Sequence, residues 1–449
     1  MKTSPTKRRK TSKTPDEDII SGLPEPILHN ILSFLPTIDA LRTPSLSKTW
    51  HSALKSFPTM DFDFRSFLKS AHTHRPSKPD NYNLKKLTQQ FYQHVDLSIA
   101  NRPLFAGVEK FKLAVNLAGP APAHLDRWLV FAAEKNVRHL VLSCFSTSRP
   151  RKGGRRWPYI LPRPLVRAIP TLKSLDLFGC RFLERDFCFY ENITRFSLTK
   201  LRLSHVFVGR ETLESVISRC ELLTELSVVS CKGFEVVRVP MECRKLEVVE
   251  FYLGRDSEVQ IVSVLARNVR SVSYGGGEAS VRGSLMGSDF FECVEELRLH
   301  DSDVQDDFLF RVVPEFGRLE KVAIERCGLL ESVRISGGRR LMEVSVSECA
   351  MVRRIELDSR FSGRLRVDSG CDIKGNFLIM VNAIKGLYIA CDIPMAQFII
   401  NMNAALPQSQ KFIIHVLDTT RIIVRTDMAG QIRSAIATFR EQNTYEKPS

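Results

Sequence analysis

One spacing recurs down most of this chain and limits what it can fold into. Apolar residues at the first, fourth and sixth places of a six-residue window begin at Leu172, Leu198, Leu223, Leu246, Val269, Val294, Leu319 and Leu341. The steps between these starts are 26, 25, 23, 23, 25, 25 and 22 residues. Looser copies begin at Val108 and Val137, later ones at Val352 and Ile384, and half-period extras at Phe234 and Leu330. Alternating apolar positions predict a short strand with one buried face in each copy. The intervening stretches 211–220 and 258–266 read as helical. A single unit of this length cannot bury its own apolar face, so neighbours must stack into a curved array.

The first residues have a different texture. Residues 1–15 hold Lys, Arg, Ser, Thr and Pro with only Met1 as a large apolar side chain, too little to offset the entropy of ordering. From Leu23 the apolar residues Ile27, Leu28, Ile31, Leu32 and Leu35 recur at helical spacing. Pro24 and Pro26 suit a first turn, and Pro36 ends the helix. A second helical segment is expected over 37–42, stopped near Arg42 by Pro44, and a third over 45–54 with Leu46, Trp50 and Leu54 on one stripe. So small a module makes a poor core by itself, which points to burial against another protein.

The stretch from Asp18 to Trp50 resembles the F-box of the plant F-box/leucine-rich-repeat family. The features that carry it are Leu23-Pro24, the I-L-x-x-I-L-S-x-L run at 27–35, Asp39-Ala40 and the S-K-x-W at 47–50. The resemblance implies that this module binds a Skp-type adaptor, and through it a cullin-RING ubiquitin ligase. By position, Leu23, Pro24, Ile27, Leu28, Ile31, Leu32, Leu35, Pro36 and Trp50 would make that contact. It also implies that the repeat array recognises a protein target. Ubiquitin transfer would then need no residue of this chain, which would act by holding a target near the charged enzyme. The expected fold is α/β: a short three-helix F-box, a leucine-rich-repeat solenoid of horseshoe form, and a small α+β C-terminal cap. The expected segments are a disordered basic tail at 1–15, the F-box at 16–60, a helical linker at 61–94, the array at 95–395 and the cap at 396–449. In the last of these, two strands and a helix are read on either side of 418–420 and from 429 onward.

The net charge of +15 is concentrated in two places. The run around Lys7, Arg8, Arg9 and Lys10 resembles a nuclear-import signal. The loop 149–156 carries Arg149, Arg151, Lys152, Arg155 and Arg156, and it accounts for a long step between Val137 and Leu172. The rest is nearly balanced, so a general nucleic-acid surface is not required. Eleven cysteines lie without a C-x-x-C pair, which fits neither a disulfide framework nor a zinc site. Cys180, Cys231, Cys327 and Cys349 share one repeat position, three residues past the last strand hydrophobe, where a small buried side chain turns the backbone.

No phosphate loop, zinc helix or serine elbow is present in the sequence, and Y-G-G-G-E at 274–278 reads as a turn after a strand. The chain is therefore expected to be a non-catalytic recognition subunit with no cofactor, metal or membrane partner, working in the nucleus, the cytoplasm or both. Outward strand positions give Asp176, Phe178, Arg202, Glu250, Tyr252 and Arg298 as candidate target contacts. Two other readings stay open: an F-box scaffold without ligase function, and a nuclear nucleic-acid-associated repeat protein.

Overall fold

A computed structural model describes residues 20, 22–35, 40, 42–72, 81–103, 107–117, 121–145, 159–182, 195–253, 258–259, 261–277, 292–337, 340–357, 361, 363–368, 371, 377–381, 384–407 and 410–443. The basic runs at 7–10 and 149–156, Pro36, and most of 37–42 lie outside these residues. The chain divides into two compact units, residues 1–141 with 145–149 and residues 142–144 with 150–449.

The first unit opens on the helix Glu25–Phe34, with Pro24 at its N-cap and Pro26 in the first turn. A proline there removes only N–H groups that have no helical acceptor. Pro44 is accommodated in the same way, at the start of a 3₁₀ turn over Thr43–Ser45. The next helix begins later than its apolar spacing suggests, at Lys48, because the Ser47 hydroxyl caps it by accepting from the Trp50 N–H at 3.3 Å. Leu46 therefore precedes the helix and is 65% exposed, off the stripe it was expected to share with Trp50 and Leu54. Leu28, Leu32, Ala40, Trp50 and Ala53 form a small closed core, with Leu23, Ile31, Leu35, Leu54 and Phe57 packed around it.

The stretch read as a helical linker is entered through a strand, Thr59–Asp63, which pairs in parallel with Lys110–Asn116. The helices Phe64–His72, Asn81–Ala100 and Ala121–Glu134 follow in the same unit. Trp128 is buried there and donates its indole N–H to Asp96 at 2.7 Å. Asp96 also faces Arg127 and His124.

The second unit is built on a parallel ladder. Its strands are Ser174–Phe178, Lys200–Ser204, Glu225–Val229, Val248–Leu253, Ser271–Gly277, Glu296–Asp303, Lys321–Glu325, Glu343–Ser347 and Arg364–Val367. Consecutive strands of this ladder pair in parallel and in register, with one shift between Tyr274 and Gly276. Eight of the nine begin two residues after a repeat start read from the sequence. The ninth was missed because Ser362 stands where the leading apolar residue would be. Stacking the same register position gives continuous apolar rows, such as Leu175, Leu201, Leu226, Val249 and Val272, all buried.

The half-period copies belong elsewhere. Val236–Val239 pairs with Ile261–Val264, and Ser332–Ile335 pairs with Arg354–Leu357. The stretch 258–266 thus holds a strand, Ile261–Val264, where a helix was expected. Val262 and Val264 are both buried, a period of two, and β-branched residues suit the extended backbone. The copy at Val352 likewise sits in this second ladder. The helix expected over 211–220 is present as Arg210–Ser218.

Six of the nine main strands carry a left-handed residue near their ends: Gly179, His205, Ser230, Asp301, Arg326 and Glu348 have positive φ, each two residues past a buried apolar strand position. Cys180, Cys231, Cys327 and Cys349 follow directly and are fully buried. Their thiols point at backbone carbonyls of the turn, as Cys349 Sγ does to Ser347 O at 3.2 Å and Cys180 Sγ to Phe178 O at 3.4 Å. Burial pushes the Cys231 thiol up to about 11, with hydrogen bonds to the backbone of Val206 and Val229 opposing. The shared cysteine position is structural, and the ten described cysteines are free thiols.

The C-terminal part changes character. Ile384–Ala390 pairs antiparallel with Arg421–Arg425, which pairs antiparallel with Ile413–Asp418. The repeat-like window at Ile384 is therefore not a ladder strand. The helices Ile393–Ala404 and Ala429–Asn443 complete a separate apolar core around Ala396, Ile399, Phe412, Ile422, Val424 and Ile432. Asp392 caps the first of these helices by accepting from the Met395 N–H at 3.0 Å. The two strands and last helix read beyond 396 are present, joined by a strand and helix that begin before that boundary.

Candidate functional site

The eight described residues among the nine expected adaptor contacts do not share one surface. Leu28, Leu32 and Trp50 are interior, at 0, 1 and 5% exposure, and hold the module together. Leu23, Ile31 and Leu35 are half-buried against that core. Pro24 and Ile27 are exposed. The apolar residues the module leaves in solvent are Ile20, Ile27, Phe34 and Leu46, and Phe34 is 81% exposed. Helical periodicity identifies an apolar stripe but not which part of it the two neighbouring helices cover, so Phe34 and Leu46 were missed.

On the ladder, the outward positions alternate with the buried rows as expected. The six candidate target residues fall into two groups. Asp176, Phe178 and Arg202 lie on adjacent strands. Asp176 and Arg202 approach to 4.0 Å, and Phe178 meets His205 edge-on with ring centres 5.1 Å apart. Burial raises the Asp176 carboxyl above its ordinary value, and the Arg202 charge opposes that rise.

Glu250, Tyr252 and Arg298 line one open cavity of about 460 Å³, together with His300, Asp301 and Arg326. Tyr252 and His300 stack with centroids 5.5 Å apart and planes at 9°. The strand between them carries Gly275, whose missing side chain makes that stack possible, since a Cβ there would strike Tyr252 and the His300 carbonyl. Tyr274 to Gly277 thus continue the strand through a register shift where a turn was expected. His300 Nε2 is buried and has no hydrogen-bond partner among the described residues. Arg298 bonds Glu296 at 2.9 Å, and Ser271 donates to the same carboxylate at 3.0 Å. Arg326 holds Asp301 through two bonds of 2.9 and 3.0 Å, and this holds the Asp301 carboxyl below its usual value. The face can therefore offer a flat aromatic shelf and one unused imidazole nitrogen, beside guanidiniums that are already paired with carboxylates.

Among the described residues no cluster of His, Cys, Asp or Glu has the arrangement of a metal site. No described helix is long and apolar enough to cross a membrane.

Comparison with known proteins divides the chain along its length. Residues 20–61 match the F-box domain, and residues 102–288 match the LRR domain described for At1g61320/AtMIF1. Residues 380–448 match the transcription factor TFIIH complex subunit Tfb5. The general transcription and DNA repair factor IIH subunit TFB5 of Arabidopsis thaliana is 63% identical over 70 residues, which are 16% of this chain and 99% of that protein. The putative F-box/LRR-repeat protein At5g54820 of the same plant is 26% identical over 235 residues, 51% of this chain and 46% of the relative. F-box/LRR-repeat protein At3g59190, also from Arabidopsis thaliana, is 27% identical over 247 residues, 51% of this chain and 57% of the relative. The chain thus spans about half the length of these F-box/LRR relatives. Nothing in the periodicity of 380–448 set it apart from a terminal cap, since a cap and an independent small domain need the same buried apolar rows. The chain belongs to the plant F-box/leucine-rich-repeat family, and it carries, in residues 380–448, a segment of the TFIIH subunit Tfb5 family.

Proposed function

We propose that this protein is the substrate-recognition subunit of an SCF-type ubiquitin ligase, itself non-catalytic. The observation that carries the reading is the order of an F-box match followed by a leucine-rich-repeat match in one chain. Support comes from the module's surface: its core closes on Leu28, Leu32 and Trp50, yet Ile27, Phe34 and Leu46 remain in solvent. Exposed apolar groups on so small a module favour burial by a partner, here a Skp-type adaptor. The outward ladder face, with its Tyr252–His300 shelf, then receives the target. The test is co-purification of the full chain with a Skp-type adaptor, beside a chain lacking residues 18–56. A complex that disappears on deletion is the expected result. No complex with either chain would sink the ligase reading and favour the scaffold.

The Tfb5 segment favours a second role beside the first. In this reading residues 380–448 join a transcription and repair factor IIH assembly, as the name of the 63% identical relative indicates for that protein. Work in the nucleus follows from that role and agrees with the basic run Lys7, Arg8, Arg9 and Lys10. Recovery of factor IIH subunits from nuclear extract by the full chain, and not by a chain ending at 379, is the expected outcome. Equal recovery by both would reject it.

A further inference from the structure

Many charges on the outward face of the ladder are paired: across repeats Lys200 meets Glu225 at 2.6 Å, Arg326 meets Asp301 and Arg366 meets Glu343 at 3.0 Å, and along one strand Arg298 meets Glu296. The rim where the strands begin is different. There a cleft of 430 Å³ is lined by Arg244, Lys245, Asn268, Arg270 and Arg318, drawn from successive repeats. Arg270 pairs with Glu295 at 3.4 Å. Arg244, Lys245 and Arg318 are exposed, and their side chains have no ion-pair or hydrogen-bond partner among the described residues. Four cations stand against two carboxylates, Glu247 and Glu295.

The backbone under this rim is held firmly. Arg270 N–H bonds Glu247 O at 2.8 Å, Glu295 N–H bonds Arg270 O at 2.8 Å, and the Asn268 amide bonds Arg244 O. Repeats stacked at about 4.8 Å place these side chains within reach of one compact anion. Long cationic side chains kept side by side repel one another, a cost that an anion between them relieves.

We propose that this cleft binds a phosphate monoester carried on a serine or threonine of a target protein. Such a group brings nearly two negative charges and three acceptor oxygens, matching the excess positive charge and the forked guanidinium donors. Arg270 and Arg318 supply donors in fixed planes, while Lys245 supplies a mobile point charge. A nucleic acid suits the cleft less well, because Glu247 and Glu295 interrupt any continuous cationic track. The proposal stands apart from adaptor binding, since the cleft belongs to the array alone.

The test is fluorescence anisotropy on the full chain. Its probes are a randomised pool of phosphoserine and phosphothreonine peptides and the same pool unphosphorylated. Inorganic phosphate and a single-stranded oligonucleotide serve as further probes. The phosphorylated pool should bind at least about tenfold more tightly than its twin, and weaken with salt. Arg318→Ala and Lys245→Ala should each cost about fivefold or more, and Glu295→Gln should strengthen binding by freeing Arg270. Arg210→Ala, removing a cation already paired with Glu214 on a helix, should change nothing. Lys245, Arg318 and Arg210 are exposed and Glu295 is half-buried, and an unchanged melting temperature verifies the fold. Equal binding of the two pools, or no loss in Arg318→Ala, overturns the proposal. Tighter binding of the oligonucleotide overturns it in favour of nucleic acid. Inorganic phosphate binding as tightly as the peptides overturns the peptide source.

Discussion

Asp96 shows how one carboxylate can organise a unit. Burial would raise its pKa, but the hydrogen bond from Trp128 and the nearby Arg127 and His124 outweigh this and hold it below the ordinary range. A group with a lowered folded value contributes stability above the unfolded pKa and loses it as pH falls through the folded one. Asp96→Ala should therefore destabilise the first unit by about 1–3 kcal/mol near neutral pH, because the buried Trp128 N–H loses its acceptor. The difference from the unaltered protein should shrink in acid, below the usual carboxylate range, and denaturant melts across pH will show it. At Gly179 the constraint is geometric. Its φ is +70° and a Cβ would strike the Cys144 carbonyl, so Gly179→Ala should cost about 1–3 kcal/mol or more, read as a lower melting temperature. The sequence marks neither residue as special: Asp96 sits in an ordinary helix pattern, and Gly179 is one glycine among 23.

Elements separate what a stripe of apolar residues leaves merged. Leu28 and Ile27 are neighbours on the same helix, yet one is buried and the other 46% exposed. Leu28→Ala should destabilise the module by about 2–5 kcal/mol, whatever it binds. Ile27→Asp should leave its melting unchanged while weakening capture of a Skp-type adaptor, because the charge would be desolvated unpaired at a contact. Circular-dichroism melts beside adaptor pull-down distinguish the two. The helix start at Pro24 followed from local chemistry, whereas the apolar stripe over 45–54 set the next start too early, at a point the Ser47 cap moves to Lys48. The stretch 258–266 did not follow from local chemistry either, because its apolar residues fit a short helix or strand alike, and pairing with Val236–Val239 decided it.

At the scale of the molecule, the repeat is the dominant fact. Each ladder strand shares its apolar row with both neighbours, so damage to one row should propagate. Phe251→Ala, deep in the ladder, should cost about 3–5 kcal/mol. It should lower the melting of the array while leaving the antiparallel core around Phe412 and Ile422 protected in hydrogen exchange. The expectation rests on that separate apolar core, which meets the array through the strand Phe377–Val381, paired with both Arg354–Leu357 and Ile384–Ala390.

The order of helical module, stacked strands and terminal α+β segment was determined by the sequence itself. Apolar period, proline placement and caps act over a few residues and repeat faithfully from one copy to the next. Which apolar side chains stay in solvent, which charges find partners, and how Gly275 lets Tyr252 meet His300 were decided only by the tertiary structure. Those contacts join residues from different repeats, and their energies depend on distances that no local pattern encodes.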